Sequence, residues 1–283
     1  MLHTGQPLSR LGPAGAAALR TYLEAIPKDA LKSCEMGDDT GPLTSRRIAR
    51  DIKRLEKPAK NDDFFALIYS SSEDRPPADY GVQFLLDEFE EDEDTLVTLM
   101  RFDFPWDSAE GEKTTTFIRT VAAIASKVPF STGTVGFAFS HWASDHVAVD
   151  QVLSLLPRYL GFEHSSEEPR DNLRDLAAGP AWITLLDATL MRDLGGPTAC
   201  HALAPDATID GTGKGYMIRA AKLPPVGDIN SGAPDIGALP ALARWLAPRR
   251  ALFRRLRGSA VELDAASWVG RFDALDSGPW DNR

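Results

Sequence analysis

Cysteine is nearly absent from this chain: Cys34 and Cys200 are the only two. Two cysteines cannot build a disulfide-rich scaffold or a four-cysteine zinc site within one chain, and they suit a reducing, intracellular setting. Basic charge is in deficit. Lys plus Arg is 31 against 41 for Asp plus Glu, a net charge of −10. That balance argues against a general binder of nucleic acid or anionic membranes and leaves open a basic protein partner. Long apolar runs are missing too. No window approaches ~20 uninterrupted apolar residues, so no membrane span is expected. The first basic residue is Arg10, and the apolar stretch 14–26 is broken by Arg20 and Glu24. It reads as a helix rather than a signal sequence, and a cytoplasmic location is the expectation. What is present is a 43% apolar fraction over 283 residues, enough for a sizeable core and too much for wholesale disorder.

The pattern of elements is irregular. Helices are expected over 14–26 and 44–56, with a turn at 37–42 between them and Thr44 or Ser45 as a cap. Segments 64–71, 80–89 and 95–104 read as strands. In the third, Leu96, Thr98, Met100, Phe102 and Phe104 share a largely apolar face. Residues 112–127 read as a helix burying Phe117, Val121 and Ile124, followed by a strand at 134–140 and a helix over 145–160. A strand at 181–187 leads into a short helix stopped by Gly195-Gly196. Residues 208–221 read as a strand or hairpin, 236–248 as a helix, and 265–283 as a loosely packed extension. Strands and helices do not alternate one for one, which disfavours a doubly wound sheet. The expected fold is α+β, a mixed and largely antiparallel sheet covered by helices. The order leaves room for two related α+β halves, although no sequence repeat is visible. The expected division is a helical accessory region (1–60), a main α+β domain (61–257) and a C-terminal extension (258–283).

No catalytic constellation is convincing. His141 and His146 are five residues apart, a poor match to one helix face, and His141 with Asp145 lacks a third partner. A polar strand-to-helix junction accounts for them. His3, His164 and His201 fall in expected loops. Asp210-Gly-Thr-Gly-Lys-Gly215 lacks both the spacing and the following helix of a phosphate loop or dinucleotide fingerprint, so a tight hairpin is the better account. Cys200-His201 has no orienting acid, and adjacent loop side chains seldom face each other. No cofactor or metal site is expected.

The strongest compositional signal is Asp87, Glu88, Phe89, Glu90, Glu91, Asp92, Glu93 and Asp94, seven carboxylates in eight residues. A solubilising turn between strands is the plain explanation. Divalent cation binding is a second, though the glycine pivot and ligand spacing of a calcium loop are missing. A third is mimicry of a polyanionic backbone toward a basic protein, with Phe89 as an apolar anchor.

Several segments resemble a known family. Ala181-Trp-Ile-Thr-Leu-Leu-Asp187 followed by Leu194-Gly-Gly196, then Gly215-Tyr-Met-Ile-Arg-Ala220, Pro224 with Gly227-Asp-Ile-Asn230, and Leu246-Ala-Pro-Arg-Arg250 follow its order and spacing. Phe137-Ala-Phe-Ser140 is a looser match. The chain resembles the bacterial type VI secretion immunity proteins over roughly 60–257. It departs from them at Met217-Ile-Arg219 and in the weight of its acidic run. The resemblance implies a non-enzymatic protein that binds and neutralises a cognate secreted effector toxin, of nuclease type in several cases. It implies no direct contact with nucleic acid or membrane, no cofactor and no catalytic residue to transfer, and it leaves homo-oligomerisation open. The alternatives are a regulatory or structural binding module unrelated to toxins and an enzyme with dispersed catalytic residues.

Overall fold

The computed structural model describes residues 1–36, 39–58, 64–72, 79–87, 98–139, 146–163, 173, 175–232, 234–251, 256–257, 261–263, 268 and 270–273. Its strands are β1 Leu2–Thr4, β2 Ser33–Met36, β3 Asp39–Pro42, β4 Phe64–Ser70, β5 Gly81–Asp87, β6 Thr98–Asp103, β7 Thr132–Val135, β8 Phe137–Ala138, β9 Phe162–Glu163, β10 Ile183–Asp187, β11 Thr208–Gly211, β12 Gly215–Arg219, β13 Leu256–Arg257 and β14 Glu262–Leu263. The α-helices are α1 Leu8–Ala25, α2 Ser45–Glu56, α3 Lys113–Ala125, α4 His146–Leu155, α5 Ala188–Asp193, α6 Gly196–Leu203 and α7 Leu239–Leu246. Ten strands form one sheet in the order β11-β12-β10-β7-β1-β6-β5-β4-β2-β3. Every pairing in it is antiparallel. The fold is α+β, as the uneven order of elements predicts.

Strand parity sorts the core into two layers. Across the sheet, Phe65, Leu67 and Tyr69 of β4 pair with Leu86, Phe84 and Val82 of β5, and the same face continues through Met100, Leu2, Leu185 and Met217. The helices α1 and α3 cover this face. Leu8, Leu11, Ala18, Leu19 and Tyr22 of α1 recur at three- and four-residue spacing and are buried. Gly12 lets α1 approach α2, since a Cβ there would stand 2.2 Å from the Leu55 carbonyl oxygen. Helix α2 is capped by Thr44, whose hydroxyl accepts from the Arg47 amide at 3.2 Å. It is pinned to β4 by Asp51, which is fully buried and accepts from the Tyr69 hydroxyl at 3.0 Å. On the opposite face, Leu186 and Ile218 join Leu190, Cys200, Leu242, Trp245 and Leu246 in a second cluster under α5, α6 and α7.

Several expectations need correction. His3 is not in a loop: it is buried in β1. The turn expected at 37–42 contains β3, whose register runs from Ser33↔Pro42 to Met36↔Asp39. Helix α1 begins at Leu8, well before residue 14. The helix before Gly195-Gly196 ends there as expected, and a further helix not foreseen, α6, starts on the left-handed Gly195 at φ 86° with Pro197 in its first turn. The tail after residue 265 is not loosely packed throughout. Trp268, Arg271 and Phe272 are buried, and the Arg271 guanidinium donates to the Leu160 carbonyl at 2.9 Å and to Glu163 at 3.1 Å. Residues 1–60 supply three strands to the common sheet, one of them at its centre.

Candidate functional site

The acidic run belongs to the connection between β5 and β6, which pair from Gly81↔Asp103 to Leu85↔Leu99. Asp87 ends β5. Glu88, Phe89, Glu90, Glu91, Asp92, Glu93 and Asp94 lie outside the described residues, as do His141, Asp145 and His164. Cys200 and His201 lie on α6 rather than in a loop. Successive residues on a helix diverge by about 100°, which turns them apart. Burial pushes the Cys200 thiol up to about 11, so it carries little thiolate near neutrality. The 210–215 segment is the β11–β12 hairpin, with Gly213 at φ 81° and the Gly215 amide donating to the Thr212 hydroxyl at 3.1 Å. Among the described residues, no group of three or more His, Cys, Asp or Glu is placed to hold a metal ion.

A cleft opens at the centre of the sheet, between β6 and β7. Leu2 pairs with Met100 of β6 on one side and with Gly133 of β7 on the other. Past Met1, β6 continues to Asp103 and β7 to Val135. Two strands that share a middle neighbour stand about 10 Å apart. The cleft occupies about 290 Å³ and is lined from one side by 101–106 and from the other by 134–138. The Met1 amine closes its inner end by donating to the Thr134 carbonyl at 2.7 Å.

Aromatic rings form the floor. Phe104 meets Phe117 edge to face at 5.2 Å, and Phe117 lies parallel to Trp182 at 5.9 Å. Trp182 is buried, and its Nε1 donates to the Ala221 carbonyl at 2.9 Å. Tyr22 braces the strand from behind: its hydroxyl donates to the Asp103 carbonyl at 2.6 Å and accepts from the Gly81 amide at 3.1 Å. Burial, reinforced by the Asp103 charge, raises the Tyr22 phenol far above its ordinary range, so it stays protonated. The polar lining comprises Asp79, Asp103, Glu163 and Arg101, and Arg101 Nε donates to Asp103 at 2.7 Å. At the rim, the 3-10 turn Trp106–Ala109 presents Trp106 with 66% of its surface exposed. Pro224 lines the same cleft, flanked in sequence by the exposed Leu223 and the exposed Val226. None of this was assigned a role from the sequence. The available signal was Asp103-Phe-Pro-Trp-Asp107, two aromatics and a proline where a strand leaves the sheet.

The cleft thus combines a ring-lined floor with an exposed tryptophan at its rim. Comparisons with known proteins give the class of the chain. The family described as "Type VI immunity for VRR-NUC" matches residues 16–272, and the chain belongs to that family. Among solved structures, the Pseudomonas aeruginosa T6SS protein PA0821 has the same fold: TM-score 0.80 at 17% identity, over 98% of this chain and 81% of that one. No curated protein matches. No helix among the described residues is long and apolar enough to cross a membrane.

Proposed function

We propose that this protein neutralises a VRR-NUC-type nuclease effector by stoichiometric binding, occluding the groove that holds the nuclease's substrate. Family membership over residues 16–272 carries the reading. It acts without catalysis, in the cytoplasm of the cell it protects. A nuclease needs a positive groove for a polyanion, and a protein of net charge −10 is drawn toward such a groove. The acidic run Asp87, Glu88, Glu90, Glu91, Asp92, Glu93 and Asp94 supplies the most concentrated negative charge, with Phe89 as its apolar contact.

The test is association kinetics of the purified pair across a salt series. Replacing Glu90, Glu91, Asp92 and Glu93 together by Gln or Asn should lower the association rate at least ~10-fold at low salt. The difference should vanish toward ~1 M salt, where the Debye length is about 3 Å. An unchanged association rate at low salt removes the run from the interface.

A further inference from the structure

The geometry points to the central cleft as the anchoring site for the effector: a basic side chain of the toxin enters between Trp106 and the aromatic floor, facing Asp79 and Asp103. This inference rests on the immunity reading and adds the place where the partner is held. Three observations converge on it. First, Trp106 keeps 66% of its surface exposed on a short turn at the cleft rim, although tryptophan is the residue type most enriched at the energetic centre of protein interfaces. Second, a space of about 290 Å³ is at the lower limit for small-molecule sites and suits one or two side chains of a protein partner.

Third, the charges favour a cation. Of the charged groups lining the cleft, three are carboxylates (Asp79, Asp103 and Glu163) and two are cations, the Arg101 guanidinium and the Met1 ammonium, so carboxylates are in excess by one. Glu163 is engaged by Arg271 at 3.1 Å, and Arg101 by Asp103 at 2.7 Å. Asp79 is exposed, and Asp103 keeps 34% of its side chain accessible. An arginine or lysine entering here meets carboxylates at the mouth and ring faces below, the arrangement in which cation–π attraction and charge pairing act together. The same basic groove that a nuclease uses for its substrate would supply such a side chain.

The test uses the full chain and a catalytically inactive VRR-NUC effector from the same genome, with affinity and dissociation rate measured for wild type, Trp106→Ala and Asp79→Lys. Leu203→Ala, an exposed apolar position on α6, serves as the control. Trp106→Ala should weaken binding at least ~30-fold, mostly through faster dissociation. Asp79→Lys should weaken it at least ~10-fold, and Leu203→Ala should change it less than 2-fold. Tight wild-type binding that neither cleft variant disturbs overturns the cleft assignment and leaves the immunity reading standing. A wild-type chain that does not bind the toxin overturns that reading and this inference with it. A Trp106→Ala chain with unchanged toxin affinity but an altered self-association state assigns the cleft to a second copy and likewise overturns the proposal.

Discussion

Replacing Trp182 by alanine tests the packing beneath the cleft. The ring is 1% exposed, lies parallel to Phe117 at 5.9 Å and donates to the Ala221 carbonyl at 2.9 Å. Truncating a buried tryptophan costs about 3–5 kcal/mol through lost transfer energy and the cavity left behind. The orphaned Ala221 carbonyl adds little, because Ala221 is half-buried and water can replace the indole. The expected loss is therefore about 4 kcal/mol. By the scaling for domains of this size, that is a fall of roughly 10 °C in Tm. Trp182→Phe, which keeps a ring for Phe117 to meet and forfeits the hydrogen bond, should lose about 1–2 kcal/mol. Guanidinium denaturation followed by far-ultraviolet circular dichroism measures both, since six tryptophans confuse a fluorescence signal. The midpoint should drop with an unchanged denaturant slope. A Trp182→Ala loss below about 1 kcal/mol at constant slope would refute the claim that this ring fills the space between α3 and the sheet.

Arg271→Ala should destabilise by about 3–5 kcal/mol in the same assay, because it leaves Glu163 and the carbonyls of Leu160, Phe162 and Trp268 without their guanidinium. Arg271→Lys should recover less than half of that, since an ammonium cannot reproduce the planar fork. Neither cysteine should react with a thiol reagent at pH 8 unless the chain is unfolded, and native labelling of Cys200 at the unfolded rate would contradict its burial. The folded-state value of Cys200, about 11, exceeds the ordinary 9.0, so its contribution to stability is complete below pH 9 and is lost as the pH rises through 11. A chain lacking residues 1–6 should lose cooperative unfolding, visible as a broadened melt, because β1 is the strand that joins β6 to β7.

The long elements were legible because their periodicity is strong. The α3 stripe of Val121, Ile124 and Ala125 and the alternation through Thr98, Met100 and Phe102 carry their own signal. Elements created by tertiary context were not. β1 is Leu-His-Thr, three residues with no period, and it is a strand because β6 and β7 both bond to it. β3 is Asp-Thr-Gly-Pro, a turn-like composition held extended by its register with β2. Gly12-Pro13 looks like a boundary and lies inside α1, where the glycine is needed for the approach of Leu55. At the site, the acidic run was conspicuous as composition. The cleft was invisible, because its walls come from segments far apart in sequence.

The two proposed contacts have separable physical signatures because of where they stand on one hairpin. The acidic run follows Asp87 at one end of the β5–β6 pair, while Asp79, Asp103 and Trp106 lie at the other end. Six residues of strand separate those ends, roughly 20 Å. A standard interface covers about 800 Å² per partner, a patch wide enough to reach both. The contacts would nevertheless act at different stages. Charges concentrated in a connection act over a Debye length before contact and set the rate of encounter, and salt erases them. A tryptophan at a cleft rim acts only after water has been expelled, so it sets the lifetime of the complex and is nearly indifferent to salt. On the proposed reading, rapid encounter and a long-lived complex would each be needed, and the two contacts would supply one apiece. Placing them at opposite ends of a rigid antiparallel pair lets each be changed without disturbing the other.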